Sequence, residues 1–202
     1  MFKQLFCNSY AAERFWKWFL KHEEYFFQLE SHNEQLLFAQ LNRALRKVNE
    51  HLTFELSAVS PEGQRELVIS ADGIRMVFPI VIDLIEKAPQ VERWKFTAFR
   101  QATPSPICVK IQNVKLTYDT VKFQYEIVNN DLGIRFFIEN FDPNDECYEI
   151  GICMLMDALL GEYDATTKIK YVDIVALDKA ADPDLLLDFP LLKDLIQQRS
   201  YN

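Results

Sequence analysis

The fold is decided by residues 51–101, HLTFELSAVSPEGQRELVISADGIRMVFPIVIDLIEKAPQVERWKFTAFRQ. The first eight of these residues alternate between polar and apolar side chains, a period of two that is typical of a strand with one buried face. A turn at residues 61–63 returns the chain as a second, apolar strand. Pro79 begins a helix that ends before Pro89, and residues 94–101 alternate again. The stretch therefore predicts the order strand, strand, helix, strand.

The same order is predicted a second time, over residues 120–177. Alternating apolar residues indicate its first strand, and Asn129-Asn130-Asp131 tolerates the left-handed backbone that a tight hairpin turn needs. Asp142-Pro143 predicts the start of a helix that Gly161 ends, and residues 168–177 predict a final strand. We therefore expect an α+β fold with two ββαβ units, an internal repeat of structure, in a mixed and largely antiparallel sheet of about seven strands.

Helices are predicted on both sides of these units. Residues 1–50 carry apolar side chains at helical spacing and predict a helical hairpin that packs on the sheet. Residues 183–200 predict a C-terminal helix. At roughly 150 residues per domain, residues 1–202 are expected to form a single domain, in which the hairpin and the C-terminal helix flank the ββαβ units at 51–101 and 120–177.

Composition and charge narrow the classes of partner. Hydrophobic residues make up 49% of the chain and charged residues 26%, the balance of an ordinary globular protein. There are 30 acidic and 22 basic residues, giving a net charge of -8. Nucleic acid and anionic membrane surfaces attract positively charged proteins, so neither is an expected partner.

The sequence also predicts a compartment. The sequence has no run of 18 apolar residues, so no membrane span is predicted. The first ten residues lack the apolar core of a signal peptide. Cysteines occur at positions 7, 108, 147 and 153, a spacing that matches neither a zinc site nor a redox pair. We expect buried free thiols in a reducing cytoplasm, and no cofactor or metal.

The first helix carries a dense set of aromatic residues, including FWKWF at residues 15–19. Its apolar arc extends past half of the circumference through Trp16, Leu20 and Phe27, so the helix must touch two neighbours. Both neighbours can be parts of the same chain. The alternative is that Trp16, Leu20 and Phe27 partly face solvent and bind another protein chain, because such residues are enriched at the centres of interfaces.

An acidic stripe is the second candidate site. Glu146, Glu149, Cys153 and Asp157 are spaced to lie along one side of the second unit's helix. Carboxylates in that arrangement could hold a divalent cation or act as acid and base. A solvated helix face has the same pattern. A half-buried Asp157 would have a raised pKa.

Four segments resemble a family of bacterial, stand-alone cytoplasmic proteins of unknown function. They are FWKWF at residues 15–19, ELVISADGI at 66–74, APQVERWKFTAFRQ at 88–101 and ALLGEYD at 158–164. None of them is a known catalytic signature. The resemblance implies membership of a discrete family with no assigned activity and transfers no site residue.

Three functions are compatible with these observations. The first is a non-enzymatic protein–protein interaction module, either a homodimer or a binder of another chain, and an acidic protein of this size could neutralise a basic partner such as a toxin. The second is a metal-dependent hydrolase that uses Glu146, Glu149 and Asp157. The third is a small-molecule binder with a pocket lined by Trp94 and the first helix. Because no catalytic constellation is apparent, we expect the interaction module rather than an enzyme.

Overall fold

The computed structural model describes residues 2–30, 32–180 and 182–200. The chain divides into two compact units, Met1–Arg100 and Gln101–Asn202. Each unit has a core of its own. The expectation of a single domain over residues 1–202 stays a prediction, and its residues 1, 31, 181, 201 and 202 lie outside the described part of the chain.

The first unit contains three helices and one three-stranded sheet. Its elements are α1 (Phe2–Phe27), α2 (Glu34–Leu45), β1 (Thr53–Leu56), β2 (Arg65–Ser70), a 3-10 turn (Arg75–Val77), α3 (Phe78–Glu86) and β3 (Trp94–Ala98). The strand order is β1-β2-β3, with β1 antiparallel and β3 parallel to β2. A parallel neighbour requires a crossover connection, which α3 provides.

The helical hairpin packs on this sheet because its apolar side chains share one core with those of β2 and β3. The fully or nearly fully buried members are Phe15, Trp16, Phe19, Phe26, Leu37, Leu41, Leu45, Leu67, Ile69 and Trp94. Stacked and edge-on rings dominate this core. The rings of Phe19 and Phe26, for example, are parallel within 5° at 5.7 Å between centroids.

The second unit contains a hairpin, a four-stranded sheet and three helices. Its elements are β4 (Cys108–Ile111), β5 (Val114–Thr117), β6 (Val121–Val128), β7 (Asp131–Ile138), α4 (Cys147–Leu160), α5 (Glu162–Lys168), β8 (Tyr171–Ala176), 3-10 turns at Leu177–Lys179 and Pro183–Leu185, β9 (Leu187–Asp188) and α6 (Leu191–Ser200). The strand order is β8-β7-β6-β9, with β8 parallel to β7 and the other pairs antiparallel.

The prediction of an α+β fold with two ββαβ units is confirmed. Each unit has an antiparallel hairpin whose second strand pairs with a parallel strand beyond a helical crossover. The prediction of one sheet of about seven strands is wrong, because the described residues contain nine strands in three sheets. Hairpin β4-β5 packs against α4 instead of extending a sheet.

Two predicted boundaries also move. The second unit's helix begins at Cys147 rather than near Asp142, since Asp142 starts a turn in which the Asp145 N–H donates to its carbonyl oxygen, and the Asp145 carboxylate then accepts a hydrogen bond of 2.9 Å from the backbone N–H of Cys147. The predicted helix at 183–200 contains β9, which pairs with β6 at Phe123, and only then α6.

Among the described residues, none of the helices combines the length and apolar character needed to cross a lipid bilayer. The cysteines are less uniform than predicted. Cys147 is buried, whereas Cys108 and Cys153 are exposed free thiols, and the side chain of Cys7 lies outside the described part of the chain.

Candidate functional site

Trp16 lies inside the first unit. Its side chain is 3% exposed, and its indole N–H donates a hydrogen bond of 2.7 Å to the carbonyl oxygen of Leu84 on α3. Its ring lies 4.6 Å from that of Phe96 on β3. The expectation that Trp16 partly faces solvent is therefore wrong, because α3 and β3 cover the side of α1 that carries it.

Phe27 and Leu20 are placed differently from Trp16. Phe27 is half-buried, its ring packs edge-on against Trp94 at 5.9 Å, and the guanidinium of Arg93 lies 4.6 Å above it. Leu20 is 45% exposed. Leu20 therefore offers the largest exposed fraction of the three, and partner binding by these residues stays a prediction.

An ion-pair network that sequence reasoning missed joins α1 to β3. The Glu23 carboxylate accepts hydrogen bonds from Arg93 and, at 2.7 Å, from the indole N–H of Trp94. Glu24 pairs with the same guanidinium. The two carboxylates raise the pKa of Arg93 further above its usual range. Because its charges are mutually paired, the network fixes β3 against α1.

The acidic stripe does not form a gathered site. Glu146 precedes α4 and is exposed, Glu149 is exposed, and Asp157 is half-buried. Among the described residues, no three His, Cys, Asp or Glu side chains are grouped so that they could hold a metal ion. The solvated-face interpretation of the stripe fits these positions.

Cys153 lies one helical turn from both Glu149 and Asp157. Partial loss of hydration and these two carboxylates raise the pKa of its thiol. A raised pKa leaves less thiolate at neutral pH, and only the thiolate attacks electrophiles. Cys153 therefore lacks the electropositive surroundings of a catalytic cysteine.

We expect Cys153 to react more slowly with iodoacetamide at pH 7 than the exposed Cys108. Changing Asp157 to Asn removes one carboxylate near the sulfur, lowers the thiol pKa and should raise the alkylation rate of Cys153 about twofold. Peptide mass spectrometry resolves the two rates, and Cys108 serves as the internal control. Equal or faster labelling of Cys153 in the unaltered chain would contradict this account.

Each unit also has a surface cavity. In the first unit, a cavity of about 520 Å³ is lined by Gln64, Ala88, Pro89, Gln90, Val91, Glu92, Trp94 and Phe96. Trp94 lines this cavity, but among the described residues none of its lining residues belongs to α1, so it differs from the pocket predicted between Trp94 and the first helix, and small-molecule binding stays a prediction. In the second unit, a cavity of about 780 Å³ lies beyond the carboxyl ends of β7 and β8, lined by Lys122, Glu139, Asn140, Phe141, Ala176, Leu177, Asp178 and Leu186.

The most distinctive surface of the second unit is one edge of its sheet. β9 pairs with β6 only at Lys122 and Phe123. The remainder of β6 continues to Val128 with no further strand beside it in the described residues. Residues 125–128 are all exposed, and we call this segment the free edge of β6.

The apolar character of the free edge is unusual for an unpaired strand. Tyr125 is 45% exposed, Ile127 50% and Val128 52%. Natural proteins commonly protect such edges with lysine, proline or a bulge. The free edge has none of these, and Glu126 is its one charged residue.

The hairpin turn determines which backbone groups the edge presents. Asn129 and Asn130 both have positive φ, 51° and 71°, as a two-residue type I′ turn requires. Val128 and Asp131 are then a hydrogen-bonded pair, and such pairs alternate along an antiparallel ladder. The N–H and C=O groups of Tyr125 and Ile127 therefore point away from β7, toward the open side.

Charge is divided unequally between the two units. Residues 1–100 contain 13 acidic and 13 basic side chains, whereas residues 101–202 contain 17 acidic and 9 basic ones. The whole net charge of -8 therefore lies on the unit that carries the free edge of β6. Around that edge, Glu126 and Asp131 are exposed.

Comparisons with protein-family models, with curated proteins and with solved structures found no match to this chain. The resemblance of four segments to a bacterial family stays a prediction.

Sequence reasoning had the information needed to find part of this site. The alternation at residues 121–127 and the Asn129-Asn130 turn predicted the hairpin, and counting charges by halves would have located the acidic unit. The shortness of β9 could not be predicted, because a two-residue strand leaves no periodic pattern.

Proposed function

We propose that the chain is a non-enzymatic protein–protein interaction module of the cytoplasm, and that its second unit binds a basic partner protein. The observation that carries the proposal is the concentration of the entire net charge of -8 on residues 101–202, the unit that also carries an exposed apolar strand edge. Apolar groups supply affinity on desolvation, and the surrounding charge selects a partner of opposite sign. Neutralising a basic toxin is one form of this function.

A partner of opposite sign fits the second unit better than a second copy of the chain. Two copies that met through this unit would bring two acidic surfaces together, which opposes association at ordinary salt concentrations. A basic protein instead gains a long-range attraction that speeds its encounter. The same charge disfavours nucleic acid and anionic membranes as partners.

The location of the binding surface can be tested with a 20-residue polylysine as a basic probe. Changing Glu126 and Asp131 together to Lys should weaken binding by the full chain about tenfold at low salt, because Glu126 lies on the free edge and Asp131 lies opposite its last residue. The matched control changes Glu13 and Glu50 to Lys. Both are exposed in the first unit and alter the net charge equally, so the loss should be less than about twofold.

Isothermal titration calorimetry at two salt concentrations gives the required affinities. Equal losses in the two variants would show that only overall charge matters and would overturn the assignment to the second unit. If the unaltered chain showed no salt-dependent binding of polylysine, the proposal of a basic partner would itself be overturned.

A further inference from the structure

We propose that the free edge of β6 binds an extended, basic segment of the partner protein by antiparallel strand addition. The inference rests on the proposed function and specifies its contact. The partner segment would lie beside residues 125–128, which β9 does not reach. It would add a strand to the β6 edge of the sheet, which β9 covers only in part.

Main-chain hydrogen bonding supplies the first argument. Tyr125 and Ile127 each direct one N–H and one C=O to the open side, since Val128 and Asp131 close the I′ turn as a bonded pair. Phe123, two residues earlier on the same side, already pairs with Leu187 of β9. An added antiparallel strand therefore continues a ladder that β9 begins.

Side chains supply the second argument, because they define which sequence fits. Along β6, Tyr125 and Ile127 lie on one face, and Glu126 lies on the other with Gly133 and Tyr171 across the sheet. A residue directly opposite Tyr125 or Ile127 shares their face and gains from an apolar side chain. The residues before and after it in the added strand share the face of Glu126, where a basic side chain gains an attraction to that carboxylate. The fitting segment thus alternates apolar and basic residues.

The opposite edge of the same sheet lacks this combination. β8 also has no strand on its outer side in the described residues, and Tyr171 and Val172 are exposed there. The exposed Lys170 immediately precedes it, Lys168 at the end of α5 pairs with Asp164, and Asp173 on β8 itself pairs with Arg135. Lysines protect an edge from strand addition and repel a basic segment. The free edge of β6 instead has the exposed Glu126 and Asp131, and the guanidinium of the half-buried Arg199 nearby donates a hydrogen bond of 2.8 Å to the carbonyl oxygen of Asn130 in the turn.

The test uses the full chain and a ten-residue peptide of alternating lysine and valine. The peptide with glycine in place of valine has the same charge but low strand propensity. We expect the lysine–valine peptide to bind at least about tenfold more tightly. In hydrogen exchange, the amides of Tyr125 and Ile127 should be unprotected in the free chain and become protected on binding.

N-methylated peptides provide a control that leaves the protein unaltered. In the proposed register, valine N–H groups face β6 and lysine N–H groups face away. N-methylation of every valine should weaken binding at least about tenfold, and N-methylation of every lysine by less than about threefold. A matching protein variant, Ile127→Pro, removes one outward N–H, which an edge position tolerates, and should also abolish the protection of Tyr125.

The outcomes separate strand addition from the proposed function. Equal binding of the lysine–valine and lysine–glycine peptides would overturn strand addition, and so would equal losses on methylation of either residue type. If that binding still weakened with salt, the proposal of a basic partner would stand. Failure of both peptides to bind would overturn both proposals. Protection confined to β8 would place the contact on the opposite edge and also overturn this inference.

Discussion

Replacement of Trp16 by Ala is expected to destabilise the first unit by about 3–5 kcal/mol, the range seen when a large aromatic side chain is removed from a packed core. The ring is 3% exposed and contacts Phe15, Phe19 and Phe96. Its loss also removes the hydrogen-bond donor to the carbonyl oxygen of Leu84, which belongs to the last turn of α3 and has no N–H partner further along that helix.

Tryptophan fluorescence during urea unfolding measures this effect selectively, because Trp16, Trp18 and Trp94 all belong to the first unit. The matched control is Leu20→Ala, an exposed position on the same helix, where a change within about 0.5 kcal/mol is expected. A Trp16→Ala variant within about 1 kcal/mol of the unaltered chain would mean that this side chain is not enclosed. In that case Trp16 would be available to a partner, which is the alternative that the sequence left open.

Replacement of Gly151 by Val is expected to destabilise the second unit by about 3 kcal/mol, through overpacking. A Cβ atom at this position would lie 2.7 Å from Cδ1 of Leu116 and 3.8 Å from Cγ1 of Val109. Leu116 is 1% exposed, so its side chain has little space into which to move. Gly151 therefore allows α4 to approach the hairpin β4-β5 closely.

Gly151→Ala should destabilise by less, because the better helix propensity of alanine, about 1 kcal/mol, offsets part of the clash. Combining Gly151→Ala with Leu116→Ala should give a smaller loss than the sum of the single changes, since the second change removes the clashing methyl group. Labelling of the buried thiol of Cys147 reports on unfolding of this unit. Additive effects of the two changes would show that Gly151 and Leu116 are not in contact.

The two candidate sites show how far a pattern in the sequence extends into tertiary structure. Helical spacing correctly indicated that α1 must contact more than one neighbour, and α2, α3 and the sheet of the first unit all contact it. The spacing of Glu149, Cys153 and Asp157 correctly placed them along one side of α4. It could not show whether a further ligand joins them, because that depends on residues distant in the chain, and none does in the part of the chain that the structure describes.

The sequence by itself determined the order of strands and helix within each of the two ββαβ units, and the tight Asn129-Asn130 turn. These features depend on side-chain periodicity and backbone preferences within a few neighbouring residues. Tertiary structure alone decided that Trp16 is enclosed, that β4-β5 packs on α4, and that β9 leaves β6 after two residue pairs. Each of these depends on which distant surfaces meet and how much of each they cover, and no local pattern records that.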